Sequence, residues 1–188
     1  MENIKNLEEK TLSSKKVYDG TFLKVFQDQA LMPDGSHSLR EYVVHPGASM
    51  MIPYCRETNS IYMVHQYRYS MKQHYWELPA GKRDGNEDFL TTAQRELSEE
   101  TGLKSNKWTH LISVHPAIGY TNEVIECFVA EELEQSEQHL DEGEFLQVQK
   151  IPVPQLLQMI QKGEMKDSKS VHALLYFSHY YLAGSTKI

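Results

Sequence analysis

Between Asn86 and Gly102 the chain has little choice but to form a helix, and that helix constrains everything around it. Asn86 can cap the start, Gly102 can end the last turn in a left-handed conformation, and no proline interrupts. Leu90, Ala93 and Leu97 recur at helical spacing and make one apolar stripe, so the helix from about Glu87 to Thr101 must lie against a core. About a quarter-turn away stand Glu96, Glu99 and Glu100. Glu96 and Glu100 are four apart and stack on one face, with Glu99 beside both. Like charges this close destabilise a helix unless something cancels them. A hard divalent cation, Mg²⁺ or Mn²⁺, is the simplest canceller, because both prefer oxygen ligands. The plain alternative is a solvated acidic face.

The flanking sequence reads as strands. Val17 to Val25 and Ala30 to Val44 are strand-like, the second broken by the turn Pro33-Asp34-Gly35-Ser36, after a loose or short helical leader over residues 1–14. Met50 to Tyr54 and Ile61 to Gln66 are apolar strands joined by Arg56-Glu57-Thr58-Asn59-Ser60. Tyr75 to Leu78 is a short strand, broken by Pro79-Ala80-Gly81. Trp108 to Val114, Val124 to Glu131 and Phe145 to Lys150 follow as strands. A helix then runs from Pro154 to Gln161 and ends at Gly163. A last helix runs from Ser168 to about Leu182, capped by Asp167, with Val171, Leu174, Leu175 and Leu182 buried. Strands through the middle with helices among and after them predict an α/β fold, a mixed sheet covered by helices. Pro46-Gly47 divides a small N-terminal sheet element (1–46) from a main domain (47–188).

At 188 residues the chain can bury one full-sized core. Its charge of -7 and the lack of a Lys/Arg stripe argue against nucleic acid as the main partner. Cys55 and Cys127 make neither a disulfide framework nor a thiolate metal site. Met1 to Lys16 lacks a signal-peptide apolar stretch and no 18-residue apolar run occurs, so a cytoplasmic protein without a membrane partner is expected.

The spacing Gly81, five residues, Glu87, seven residues, then Arg95-Glu96-Leu97-x-Glu99-Glu100-x-Gly102-Leu103 resembles the full 23-residue signature of the Nudix hydrolases without a departure. Trp76-Glu77-Leu78-Pro79-Ala80-Gly81, Gln66-Tyr67-Arg68 and Arg40-Glu41-Tyr42 with Pro46-Gly47-Ala48 look like the ADP-ribose pyrophosphatase and nucleoside-diphosphate-sugar branch. The resemblance implies an α/β/α sandwich and Mg²⁺-dependent hydrolysis (Mn²⁺ can substitute) of a nucleoside diphosphate linked to ribose or another sugar. It implies Glu96, Glu99 and Glu100 as metal ligands, with the Ala80 carbonyl joining them. Arg95, four before Glu99, can hold a carboxylate in a bidentate contact and so supports the catalytic acids. Glu87, at the helix start, can receive Arg95.

In the acidic stretch Glu137…Asp141-Glu142-Gly143-Glu144 the resemblance implies a water-activating glutamate, either Glu144 or Glu142. Arg68 and Arg40 are candidate phosphate or sugar-phosphate contacts, since arginine offers paired donors. Glu77 is a candidate for a substrate hydroxyl or an indirect metal contact. Tyr18, Phe22 and Tyr67 are more readily packing than base-stacking residues, and His65, His74 and His115 form no metal-ligand pattern. Pro116-Ala117-Ile118-Gly119 through Glu123 fits the branch at Gly119 and at Glu123, a further substrate-binding candidate. Ile118 stands where a proline is expected, which leaves GDP-mannose and other nucleotide sugars in competition with ADP-ribose. The branch also implies a homodimer. Dinucleoside polyphosphates, capped RNA ends and a non-catalytic binding module are the remaining alternatives; the intact trio of acids argues against the last.

Overall fold

The computed structural model describes residues 6–184. They group into two compact units: residues up to His45 together with Ala117–Glu123, and Pro46–Pro116 together with Val124 onwards. The segment 117–123 thus joins the N-terminal unit, although the sequence suggested a single cut after residue 46.

The first unit is a three-stranded antiparallel sheet of β1 (Lys10–Asp19), β2 (Lys24–Leu31) and β3 (His37–Val44), in the order β1-β2-β3. The expected strand Val17 to Val25 is in fact a hairpin. Its turn closes where the Gly20 amide donates to the Leu23 carbonyl at 3.0 Å, and the supposed leader from Lys10 onward is β1. Residues 1–5 of that leader lie outside the described residues. The Pro33–Ser36 turn falls where expected, with Asp34 accepting from the Ser36 amide at 2.9 Å. Every residue of β1 is exposed, and within β2 only Asp28 and Ala30 are buried.

The second unit is built on a mixed sheet. Its strands are β4 (Ala48–Cys55), β5 (Ser60–Arg68), β6 (Gln73–Glu77), β7 (Ala80–Lys82), β8 (Leu103–Val114), β9 (Ile125–Gln135) and β10 (Leu146–Pro152). The main order is β10-β5-β4-β9-β8, with β6 on β5 and β7 on β4. β4 and β9 run parallel, from Ala48↔Ile125 to Pro53↔Ala130, and the other pairs are antiparallel. β4 is buried along almost its whole length, as a central strand covered on both faces should be.

Its alternation feeds two cores. Met51 packs with Ala93 and Leu97 of helix α1 (Phe89–Thr101), while Met50, Ile52 and Tyr54 pack with Leu156 of α2 (Val153–Gln161) and Ala173 and Leu174 of α3 (Ser168–Tyr176). The architecture is the expected α/β sandwich with a mixed sheet.

Local differences have local causes. Helix α1 begins later than Asn86 suggested, because Asp88 is its cap and accepts from the Thr91 amide at 2.9 Å. Gly102 ends the helix at φ 64°, as expected. Leu90 is exposed, and Thr92 takes the buried position beside Ala93. Asp167 caps α3, but after Tyr176 the helix widens into a π-helical turn over Phe177–Leu182, which rotates the face. Leu175 precedes that turn and is exposed because it falls off the α3 face of Ser170, Ala173 and Leu174, while Phe177 is fully buried.

Candidate active site

Everything at the site hangs on one close approach. β7 passes so near α1 that a Cβ built on Gly81 would lie 1.9 Å from the Glu96 carboxyl carbon and Oε1. Only glycine leaves room for the carboxylate there. One residue earlier, the Ala80 amide donates to Glu100 Oε2 at 3.0 Å. The strand before the helix therefore grips both carboxylates that face it.

Arg95 gathers the rest. Its Nη1 donates to Glu96 Oε1 and to Glu99 Oε2, each at 2.8 Å. Its Nε and Nη2 meet the two oxygens of Glu87 at 3.1 Å, and Nη2 also reaches the Lys82 carbonyl at 3.1 Å. These bonds hold the Glu87 carboxyl down to about 2. The loop leading in is tied by Arg83, which donates through Nε and Nη2 to the Glu87 carbonyl and lies 4.5 Å from the Phe89 ring centre.

Glu96 and Glu100 behave differently. Burial pushes Glu96 up to about 7 despite Arg95, with Glu99 and Glu144 adding repulsion. Glu100, 4% exposed, is raised well above the usual range by burial and by the charge of Glu96, and Glu144 adds to it. Two carboxylates are thus held where water cannot solvate their charge and the Ala80 amide and Arg95 do not fully compensate it. Among the described residues no three His, Cys, Asp or Glu side chains form a ready-made metal group, since Glu96 and Glu99 are turned to the Arg95 guanidinium. The donor chemistry is nonetheless all oxygen and net negative, which suits Mg²⁺ or Mn²⁺.

The acidic loop after β9 is strapped to the end of α1. The Ser136 amide donates to the Gly102 carbonyl at 2.7 Å, the His139 amide to the Glu99 backbone carbonyl at 3.1 Å, and Gln138 Nε2 to the Glu100 backbone carbonyl at 2.6 Å. Glu142 and Glu144 are both exposed on it, and it is Glu144 whose charge contributes to raising Glu96 and Glu100.

Arg68 and Glu77 form a pair at the ends of β5 and β6. Arg68 Nε and Nη2 meet Glu77 Oε1 and Oε2, both at 2.7 Å. Burial alone would raise Glu77, but Arg68 and Lys169 outweigh it and hold the carboxyl below its usual range. Lys169 reaches Glu77 Oε2 at 2.6 Å and Asp167 Oδ2 at 2.9 Å. Sequence reasoning passed over Lys169, which stands 92 residues from its partner with no local pattern to mark it.

The two remaining candidates lie in the first unit. Arg40 is held by Glu9 through Nε and Nη2, each at 2.8 Å, and Glu123 stands 3.7 Å from His45 Nδ1.

Comparison with known proteins divides the chain between residues 43 and 45. The family model for the NUDIX domain matches residues 45–174, and the one for the nucleoside diphosphate sugar hydrolase N-terminal domain matches residues 9–43. The chain is 34% identical over 175 residues to an ADP-ribose pyrophosphatase of Bacillus subtilis (strain 168), covering 92% of this chain and 94% of the relative. It is 38% identical over 174 residues to a methanol dehydrogenase activator of Bacillus methanolicus, with 92% and 94% covered. A GDP-mannose pyrophosphatase of Citrobacter koseri is 28% identical over 149 residues, with 74% and 77% covered. A solved structure described as an ADP compounds hydrolase shares the fold at a TM-score of 0.85 and 19% identity, over 98% of this chain and 100% of the other.

Proposed function

The chain belongs to the Nudix hydrolase family and is a pyrophosphohydrolase of nucleotide-type substrates, and we propose that it cleaves nucleoside diphosphate sugars, ADP-ribose foremost. The products in this reading are a nucleoside monophosphate and a sugar phosphate. The observation that carries it is the pair Glu96 and Glu100, buried together with their charge only partly answered. A non-catalytic role gives no reason to hold two carboxylates in that state. The match of residues 9–43 to a nucleoside diphosphate sugar hydrolase module supports the substrate class. GDP-mannose is the second reading, supported by the Citrobacter relative.

Family membership implies a divalent metal, and Glu96, Glu99 and Glu100 would hold it, with the Ala80 carbonyl beside them. When bound, Mg²⁺ neutralises diphosphate oxygens and makes water easier to deprotonate. The chain's own residues do the rest. Arg95 keeps Glu96 and Glu99 side by side through Nη1. Glu144 takes the proton of the attacking water, favoured over Glu142 because its charge reaches both buried carboxylates. The Arg68 edge that Glu77 leaves open donates to a phosphate oxygen, whereas the Arg40 guanidinium is taken up by Glu9, Ser38 and the Leu39 carbonyl. Glu77 acts by holding Arg68.

Mg²⁺-dependent turnover across ADP-ribose, ADP-glucose, GDP-mannose, UDP-glucose and diadenosine polyphosphates, with products identified by mass, tests the reading. Preference for a nucleotide sugar supports it, and activity on polyphosphates alone overturns the substrate class. Glu99→Gln and Glu100→Gln are each expected to lower kcat by roughly 10²–10³ with melting temperature nearly kept, a loss of the size seen when one charge-stabilising group is removed. Full turnover in both variants would remove the metal-binding role.

A further inference from the structure

The chemistry above gives Lys169 no part, yet its position is hard to explain as ordinary surface charge. A lysine in the first turn of a helix opposes the helix dipole, which favours acids there. Lys169 occupies that turn of α3, is only 16% exposed, and points its ammonium at Glu77 and Asp167. The same turn is fastened to the strand end a second time, where the Leu78 amide donates to Ser170 Oγ at 2.8 Å. Ser170 in turn bonds the capping Asp167 through its amide and hydroxyl.

Glu77 is 2% exposed and receives two cations on its two oxygens. Arg68 satisfies it with Nε and Nη2, so the guanidinium plane is fixed and the Nη1 edge carries none of these bonds. Arg68 keeps 43% of its side chain exposed, whereas the carboxylate that aims it is sealed. Joined only to each other, the guanidinium and carboxylate would still turn together as one unit about the Glu77 side chain. The ammonium on Oε2 shares the load and pins the carboxylate from the other side.

We propose that Lys169 is a positioning residue for substrate binding: through Glu77 it fixes Arg68, so that the outer edge of the guanidinium is presented to an oxygen of the diphosphate. The inference rests on the functional reading, since it takes Arg68 to meet the substrate. The role is one of ground-state and transition-state binding alike, so KM should move and kcat should not.

The test is steady-state kinetics on the best substrate of the panel, for the wild type, Lys169→Met, Lys169→Arg, Arg68→Ala and the double variant Arg68→Ala/Lys169→Met. Lys169→Met is expected to raise KM about 5–20-fold with kcat within about twofold, and Lys169→Arg to restore most of it. In the Arg68→Ala background Lys169→Met should add nothing, because it acts through that arginine. An unchanged KM, a fall in kcat that tracks a fall in melting temperature, or independent effects of the two substitutions would each overturn the proposal. Titration with inorganic pyrophosphate by calorimetry separates the two readings. If the wild type hydrolysed no diphosphate, the functional reading would fail, while weaker pyrophosphate binding by Lys169→Met would still uphold the role of Lys169 and equal binding would overturn it.

Discussion

Single residues carry sharply different burdens in this protein. A Cβ at Gly81 would collide with the Glu96 carboxylate, which would have to swing aside. Gly81→Ala is expected to fold, to displace Glu96 and to lose roughly 10²-fold in turnover, the cost of about an ångström of misplacement at a reacting centre. Activity and a melting curve on one preparation would check it. Glu131 has the opposite profile: it is remote from the chemistry and important for stability. Arg56 meets its Oε1 at 2.6 Å, while Tyr181 and Lys107 meet Oε2 at 2.8 and 3.2 Å. Burial would raise its pKa, yet these three partners together lower it.

A carboxyl lowered on folding stabilises above its unfolded value, about 4.3, and the benefit disappears as pH falls through the folded value. Glu131→Gln should cost ~1–3 kcal/mol at pH 7, modest because Arg56 and Lys107 are half-exposed. The gap to wild type in urea unfolding should close as pH falls through the folded value. A gap independent of pH would show that packing, not charge, is what the substitution removes.

Among the elements, α1 shows how far sequence reaches. Its existence, its end at Gly102 and its buried Ala93 and Leu97 follow from spacing and end chemistry. Its start does not, because Asn86 and Asp88 are both good caps and the loop held by Arg83 and Glu87 decides between them. Leu90 misleads because the buried face runs through Thr92, Ala93, Leu97 and Glu100 and leaves it at the edge. The three-residue β7 was invisible, as Pro79-Ala80-Gly81 has the composition of a break and pairs only because β4 offers an edge. β1 has no readable alternation, since all of it is exposed. The Nudix box pointed to its own acids and the flanking resemblance to Arg68 and Glu77, whereas Lys169 meets Glu77 from 92 residues away and no local pattern marks it. Gly102→Ala tests the element directly. At φ 64°, with Ser136 O 3.1 Å from the added Cβ, it should destabilise by ~1–2 kcal/mol, lowering the melting temperature by roughly 2–8 °C. No change would mean that the helix end can relax without its left-handed residue.

For the whole molecule, the two units are unequal in their means of standing alone. The second has two buried clusters on opposite faces of its sheet. The first is a three-stranded sheet in which Leu12, Val17, Tyr18, Leu23 and Leu39 are exposed on the single chain. Sheets of this size need an apolar face covered to be stable. That observation supports the proposed homodimer. Sedimentation at micromolar concentration is expected to give twice the chain mass, and Leu12→Lys/Leu39→Lys should shift it to the monomer. A monomeric wild type would sink the idea.

The parallel pairing of β4 with β9 has a consequence for how the protein is made. β7 pairs one edge of β4 early, at Ala48↔Lys82, but the parallel partner on the other edge comes only at Ile125, so on the ribosome that edge waits unsatisfied while α1 and β8 are synthesised. During that interval the acids of α1 exist, but neither the strap from Ser136 to His139 nor Lys169 has yet appeared. A nascent chain is therefore aggregation-prone at its most apolar strand until β9 has been made.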